Sequence, residues 1–151
     1  MTASPPRDKG RSIASIGNRI ARLDWPAIER SLDERGYATT PALLTGEECR
    51  RLVALYPDDR RFRTRIDMGR HRFGEGEYKY FAAPLPPLVA ALRSQLYPRL
   101  VPTANRWAAA LGTEGYPPAL ADYLLRCAAA GQRRPTPLLL RYTAGGYNCL
   151  H

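Results

Sequence analysis

The stretch Leu138-Leu139-Leu140-Arg141-Tyr142-Thr143-Ala144-Gly145-Gly146-Tyr147-Asn148-Cys149-Leu150-His151 decides how the rest of the chain is read. Leu138 to Tyr142 is an apolar run of strand length, entered from the linker Arg133-Arg134-Pro135-Thr136-Pro137 and left through a Gly145-Gly146 turn. A second extended piece, Tyr147 to His151, follows, so the pattern predicts a hairpin. Alternate residues of a strand share a face, which puts Tyr147, Cys149 and His151 on one side and Asn148 and Leu150 on the other. The leading strand is apolar enough to need covering on both faces, and an uncovered edge of that kind templates aggregation. Residues 138–151 are therefore expected to open a sheet whose remaining strands are missing here, in the N-terminal part of a longer domain.

Upstream, residues 13–137 read as a mostly helical part with short strands. Ile13, Ile16, Ile20 and Leu23 fall at helical spacing, and Asp24 caps a second helix whose Trp25, Ile28 and Leu32 share a face and which Gly36 ends. Tyr37 to Leu44 reads as a short extended piece. Thr45-Gly46-Glu47-Glu48 is a capping box, with Cys49, Leu52, Val53 and Tyr56 as the buried stripe behind it. Phe62 to Met68 alternates like a half-buried strand, with Arg63, Arg65 and Asp67 outward, and glycines 69, 74 and 76 then break it into a loop. Apolar stripes from Leu88 to Leu111 and from Leu120 to Cys127 predict helices stopping at Gly112 and Gly131, with a break around Pro98 and Pro102. Residues 1–12 are polar, carry Pro5-Pro6 and read as a disordered leader without the apolar stretch of a secretory signal.

Composition narrows the function classes. The chain has 151 residues, 44% of them hydrophobic and 25% charged, which suits a globular domain. No apolar run reaches the roughly 18–20 residues of a membrane span. Three cysteines cannot all pair, so the expected compartment is reducing and cytoplasmic. The 23 Lys+Arg outnumber the 14 Asp+Glu, for a net charge of +9, and nearly all the cations are arginine. Guanidinium forks match phosphates and carboxylates, so anionic partners fit. With only His71 and His151 as histidines, and with no nucleophile elbow and no Gly-rich loop ending in Lys-Ser or Lys-Thr, hydrolase and P-loop chemistry are excluded. Cys149 and His151, with Cys127 at a distance, lack the paired spacing of a structural zinc site.

The Arg141-Tyr142 pair, the Gly145-Gly146 turn and His151 resemble the strand and turn that lead into the first metal ligand of Fe(II)/2-oxoglutarate-dependent dioxygenases, the group of prolyl 4-hydroxylases and AlkB-type demethylases. The stretch Gly36 to Leu52 is similar to the strand and capped helix that often open these domains. The resemblance implies an α+β fold, in which N-terminal helices lead into the first strands of a double-stranded β-helix, or jelly roll. It also implies an enzyme that uses Fe(II), 2-oxoglutarate as cosubstrate and O2, and that couples oxoglutarate decarboxylation to substrate hydroxylation. In such a site two histidines and a carboxylate hold iron on one face, the carboxylate two residues after the first histidine because those positions share a strand face. By resemblance His151 is the first iron ligand and Tyr142 binds or lines the oxoglutarate pocket. The matching Asp, the second histidine and the base for the distal carboxylate would all fall after residue 151, so these residues alone are expected to be inactive.

A second reading rests on charge. Arg60, Arg61, Arg63, Arg65, Arg70, His71 and Arg72, followed by Phe73, Tyr78, Tyr80 and Phe81, interleave cations with rings, as a single-stranded nucleic acid would require. A basic nucleic-acid-binding module without catalysis is the alternative function. A solvated strand face is the plainer explanation of the same arginines.

Overall fold

The computed structural model describes residues 16–149. Along the chain the elements are α1 (16–21), α2 (Trp25–Arg35), α3 (Gly46–Leu55), β1 (Phe62–Asp67), β2 (Gly74–Glu75), β3 (Glu77–Phe81), α4 (Pro87–Ala110), α5 (Leu120–Ala129), β4 (Leu138–Arg141) and β5 (Tyr147–Asn148). The expected leader 1–12, Ile13 and His151 lie outside the described residues. The fold is mixed, helices with antiparallel sheet, and no closed barrel forms among the described residues. No helix among them is long and apolar enough to cross a membrane. Two compact units divide the chain: residues 16–45 with 86–133, and residues 46–85 with 134–149.

The first unit is helical and is held by an apolar core. Ile16 and Ile20 are fully buried against Trp25, Ile28 and Ala91, with Leu88, Leu92 and Leu96 packed alongside. The Trp25 indole donates to the Ile20 carbonyl at 2.9 Å, so the buried ring leaves no polar atom unsatisfied. Asp24 caps α2 by accepting from the Ala27 amide, and Gly36 ends it in the left-handed conformation at φ 77°, as the sequence predicts. Tyr37 to Leu44 joins no sheet: the segment is irregular, and Leu43 and Leu44 pack on the helical core instead.

α4 runs unbroken through Pro98 and Pro102, contrary to the expected break. Each proline removes a helical hydrogen bond at a cost of about 3 kcal/mol in an isolated helix. Burial of Ala91, Val101, Thr103 and Ala108 along α4 offsets that cost. Near its C-terminal end, Arg106 pairs with Asp33 at 2.8 Å and Trp107 donates to the same carboxylate, tying α4 to α2.

The second unit is built on the antiparallel sheet β1-β3-β4, with β3 in the centre. Asp67, Glu77 and Arg141 stand in one cross-strand row, and Arg65, Lys79 and Leu139 in the next row on the same face. The turn after β4 does not fold back as a hairpin. β5 leaves β4 and pairs with β2 as a separate two-stranded ribbon, Gly74 opposite Asn148 and Glu75 opposite Tyr147. The expected loop of glycines 69–76 thus contains one short strand, β2. In α3 the inward row is Glu48, Leu52, Leu55 and Tyr56, whereas Cys49 is exposed and Val53 is 72% exposed. Both stripes share Leu52 and Tyr56, so periodicity alone could not choose between them.

Candidate functional site

The inward face of β3 carries charge. Glu77, Lys79 and Phe81 alternate inward, with Tyr78 and Tyr80 on the other side. The Glu77 carboxylate receives Arg65 from β1 and Arg141 from β4, the latter at 3.2 Å, so one acid bridges all three strands. Lys79, 6% exposed, donates to the Tyr56 carbonyl at 2.9 Å and to Asp59 at 2.7 Å, with its ammonium over the Tyr56 and Phe62 rings. Burying such groups is tolerable because each is paired. Lys79 in turn holds the Asp59 carboxyl below its ordinary pKa. Burial, followed by the neighbouring Glu77 carboxylate, pushes the Tyr56 phenol up to about 12.

This network orients the strand β4, which Tyr142, the candidate cosubstrate residue, directly follows. Arg141 is anchored on Glu77, and Tyr142 follows it, 41% exposed. The Tyr142 ring lies against the backbone of Gly76, where an added Cβ would meet Cδ1 at 2.8 Å. The chain then turns at 143–146, the Gly146 amide donating to the Thr143 carbonyl. A Cβ on Gly146 would meet the Glu75 carbonyl at 2.8 Å, and one on Gly74 the Tyr147 carbonyl at 2.2 Å. These glycines permit β2 and β5 to approach, and the Cys149 amide extends the pairing by donating to the Phe73 carbonyl at 2.8 Å. The strand running toward His151 is thereby fastened to the end of the basic loop, Gly69 to Phe73.

The arginines of the basic segment separate by environment. Arg60 and Arg61 both pair with Asp58, and Arg63 donates to the Pro135 carbonyl while lying 4.5 Å over the Tyr80 ring. Arg65 is held by Glu77. Arg70, His71 and Arg72 are exposed, and His71 stacks on Phe73 with ring centroids 5.5 Å apart. Sequence reasoning missed Glu77 and Lys79 as the ions that tie the sheet together. Their signal was the period-two alternation of 77–81, obscured because its inward positions are charged. Among the described residues no three His, Cys, Asp or Glu side chains converge to hold a metal. The three cysteines are free thiols.

No solved structure matches this chain. Two proteins of Mycobacterium tuberculosis are similar to it: the uncharacterized protein MT2286 of strain CDC 1551 / Oshkosh and the uncharacterized protein Rv2227 of strain H37Rv. Each is 44% identical over 72 residues, a stretch that is 47% of this chain and 31% of the relative. The chain therefore covers less than a third of the length of the relatives it matches. A family model matches residues 76–151, half of the chain, spanning β3, α4, α5, β4 and β5. From Gly76 onward, through the strand that holds Arg141 and the turn toward His151, the chain belongs to the Oxygenase-NA family, described as an oxygenase catalysing oxidative methylation of damaged DNA.

Proposed function

We propose that this chain is part of a non-haem Fe(II)- and 2-oxoglutarate-dependent oxygenase acting on damaged DNA, with 138–151 as the start of its β-helix core. The observation that carries the reading is that the family match includes the segment Arg141 to His151, whose residue types resemble the approach to the first iron ligand. His151 supplies one iron ligand, and the second histidine and carboxylate come from the longer protein. The bound iron and oxoglutarate supply the oxidising chemistry with O2. This chain's own residues position: Glu77 clamps Arg141 on β4, Gly76 receives the Tyr142 ring, and the Tyr142 phenol is offered as a hydrogen-bond donor to oxoglutarate. Free thiols and a ferrous centre both suit a reducing cytoplasm.

The test is oxoglutarate- and Fe(II)-dependent succinate release by the full-length protein on alkylated single-stranded DNA. Release is expected to require both iron and oxoglutarate, to be abolished by His151→Ala, and to show a raised oxoglutarate KM in Tyr142→Phe. Undetectable release under aerobic, reducing conditions across alkylated bases would overturn the proposal.

A further inference from the structure

The cations of residues 60–72 fall into two sets with different roles. Arg60, Arg61, Arg63 and Arg65 are committed to Asp58, Pro135, Tyr80 and Glu77 within their own unit. The loop beyond β1 is different. Arg70 lies 3.7 Å from Asp67, a long contact for an ion pair beside the 2.9 Å of Arg60 on Asp58. Arg72 sits in the left-handed region at φ 59°, is exposed, and makes no side-chain ion pair among the described residues. A non-glycine residue in that conformation is uncommon. Between these cations lies the exposed His71–Phe73 ring stack. An open cleft of about 290 Å³ lies beside them, lined by Arg65, Ile66, Asp67, Arg70 and His71. Its one lining acid, Asp67, accepts from the Gly69 amide at 3.0 Å.

We propose that the loop Gly69–Phe73 is a phosphodiester-binding element for single-stranded nucleic acid, with Arg70 and Arg72 neutralising backbone phosphates and the His71–Phe73 stack presenting a ring face to an unstacked base. Cations beside an exposed stack match the two recurrent features of a polynucleotide strand, charge and a π-face, whereas a free phosphate would use the charge alone. The loop is tied to the proposed catalytic strand, because the Phe73 carbonyl holds the Cys149 amide two residues before His151. A strand bound at the loop is therefore held beside β5, from which the sequence runs on to the proposed iron ligand. The inference rests on the proposed function only for the choice of nucleic acid as ligand.

The experiment is equilibrium binding of a labelled oligothymidylate, free of any lesion, to the full-length protein across a salt series. The double substitution Arg70→Ala/Arg72→Ala is compared with Arg60→Ala/Arg61→Ala, which removes the same charge from the same segment. The loop double is expected to weaken binding about tenfold at low salt and to flatten the slope of log K against log salt by about 1.4, at roughly 0.7 per phosphate contact on a single strand. The Asp58-paired double should leave that slope unchanged. Phe73→Leu should lose about fivefold in affinity with no change of slope, since a ring carries no charge. Arg72→Lys should retain the slope, which guards against a merely structural effect of the substitution. Equal losses from the two doubles, or an unchanged slope in the loop double, would overturn the proposal. Loop-dependent binding without succinate release would leave this inference standing and reject the oxygenase reading. Turnover on DNA with loop-independent binding would do the reverse.

Discussion

The helical unit and the sheet unit solve the burial problem in opposite ways. In the first, Ile16, Ile20, Trp25, Ile28 and Ala91 close an apolar core, and charges such as Arg106 and Asp33 tie helices together from outside. In the second, the central strand turns Glu77 and Lys79 inward and satisfies them with Arg65, Arg141, Asp59 and a backbone carbonyl. An apolar core resists loosening in proportion to the area it removes from water. A paired polar interior adds directional constraint, because each ion must find its partner on a particular strand. The candidate residue Tyr142 lies on the unit of the second kind, where strand register matters most.

The comparison is most easily broken at Ile20. Truncation there, Ile20→Ala, should cost about 4 kcal/mol through lost transfer energy and an unfilled cavity, read as a shift in urea unfolding followed by Trp25 fluorescence. No single apolar truncation on the inward face of β3 other than at Phe81 is available to match it. Gly74→Ala is the counterpart in the sheet unit. Its new Cβ would sit 2.2 Å from the Tyr147 carbonyl at a backbone φ of 127°, so the β2–β5 ribbon must part, at about 3 kcal/mol. Hydrogen exchange should show the loss locally, at the Cys149 amide, with little change in the helical unit. Retained protection at that amide would mean the close approach does not hold the strand.

The smallest effect is expected at Tyr56. Its phenol is raised to about 12 in the folded chain against about 10 when unfolded. A raised folded pKa contributes stability that is full below pH 10 and lost as pH climbs through 12. Tyr56→Phe should therefore be close to neutral at pH 7, where the buried hydroxyl lacks a partner of good hydrogen-bond geometry among the described residues, and should flatten the stability profile between pH 10 and 12. An alkaline loss that persists in Tyr56→Phe would place its origin in another group.

Legibility followed the same division. The Asp24 cap, the Gly36 stop and the Trp25-Ile28-Leu32 face were readable because caps and helical periodicity are local properties of a few adjacent residues. The strand at Phe62 to Asp67 was readable for the same reason, but its faces were not: Arg65 and Asp67, expected outward, stand beside Lys79 and Glu77, and the irregularity between Phe62 and Thr64 takes Phe62 off the Ile66 face. β3 escaped because a strand is recognised by apolar alternation, and here the inward positions include an acid and a lysine. The arginine-rich segment was visible as a run of charge, but one-dimensional order could not separate Arg60 and Arg65, which have carboxylate partners close by, from Arg72. Of the candidate site, the sequence offered Tyr142 by residue type. Its support from Gly76 and, through Arg141, from Glu77 was not.

By itself the amino-acid sequence determined the helix ends, the apolar face of α2, the basic character of the chain and the motif ending at His151, since each depends on residues within about two turns or one strand of each other. Tertiary structure alone decided that α4 continues through its prolines and that β5 pairs with β2 rather than β4. It alone placed Glu77 and Lys79 inside. In each of these a local preference is overruled by partners distant in sequence: the buried face of a long helix, glycines that let two backbones meet, and ions whose counter-charges arrive on neighbouring strands.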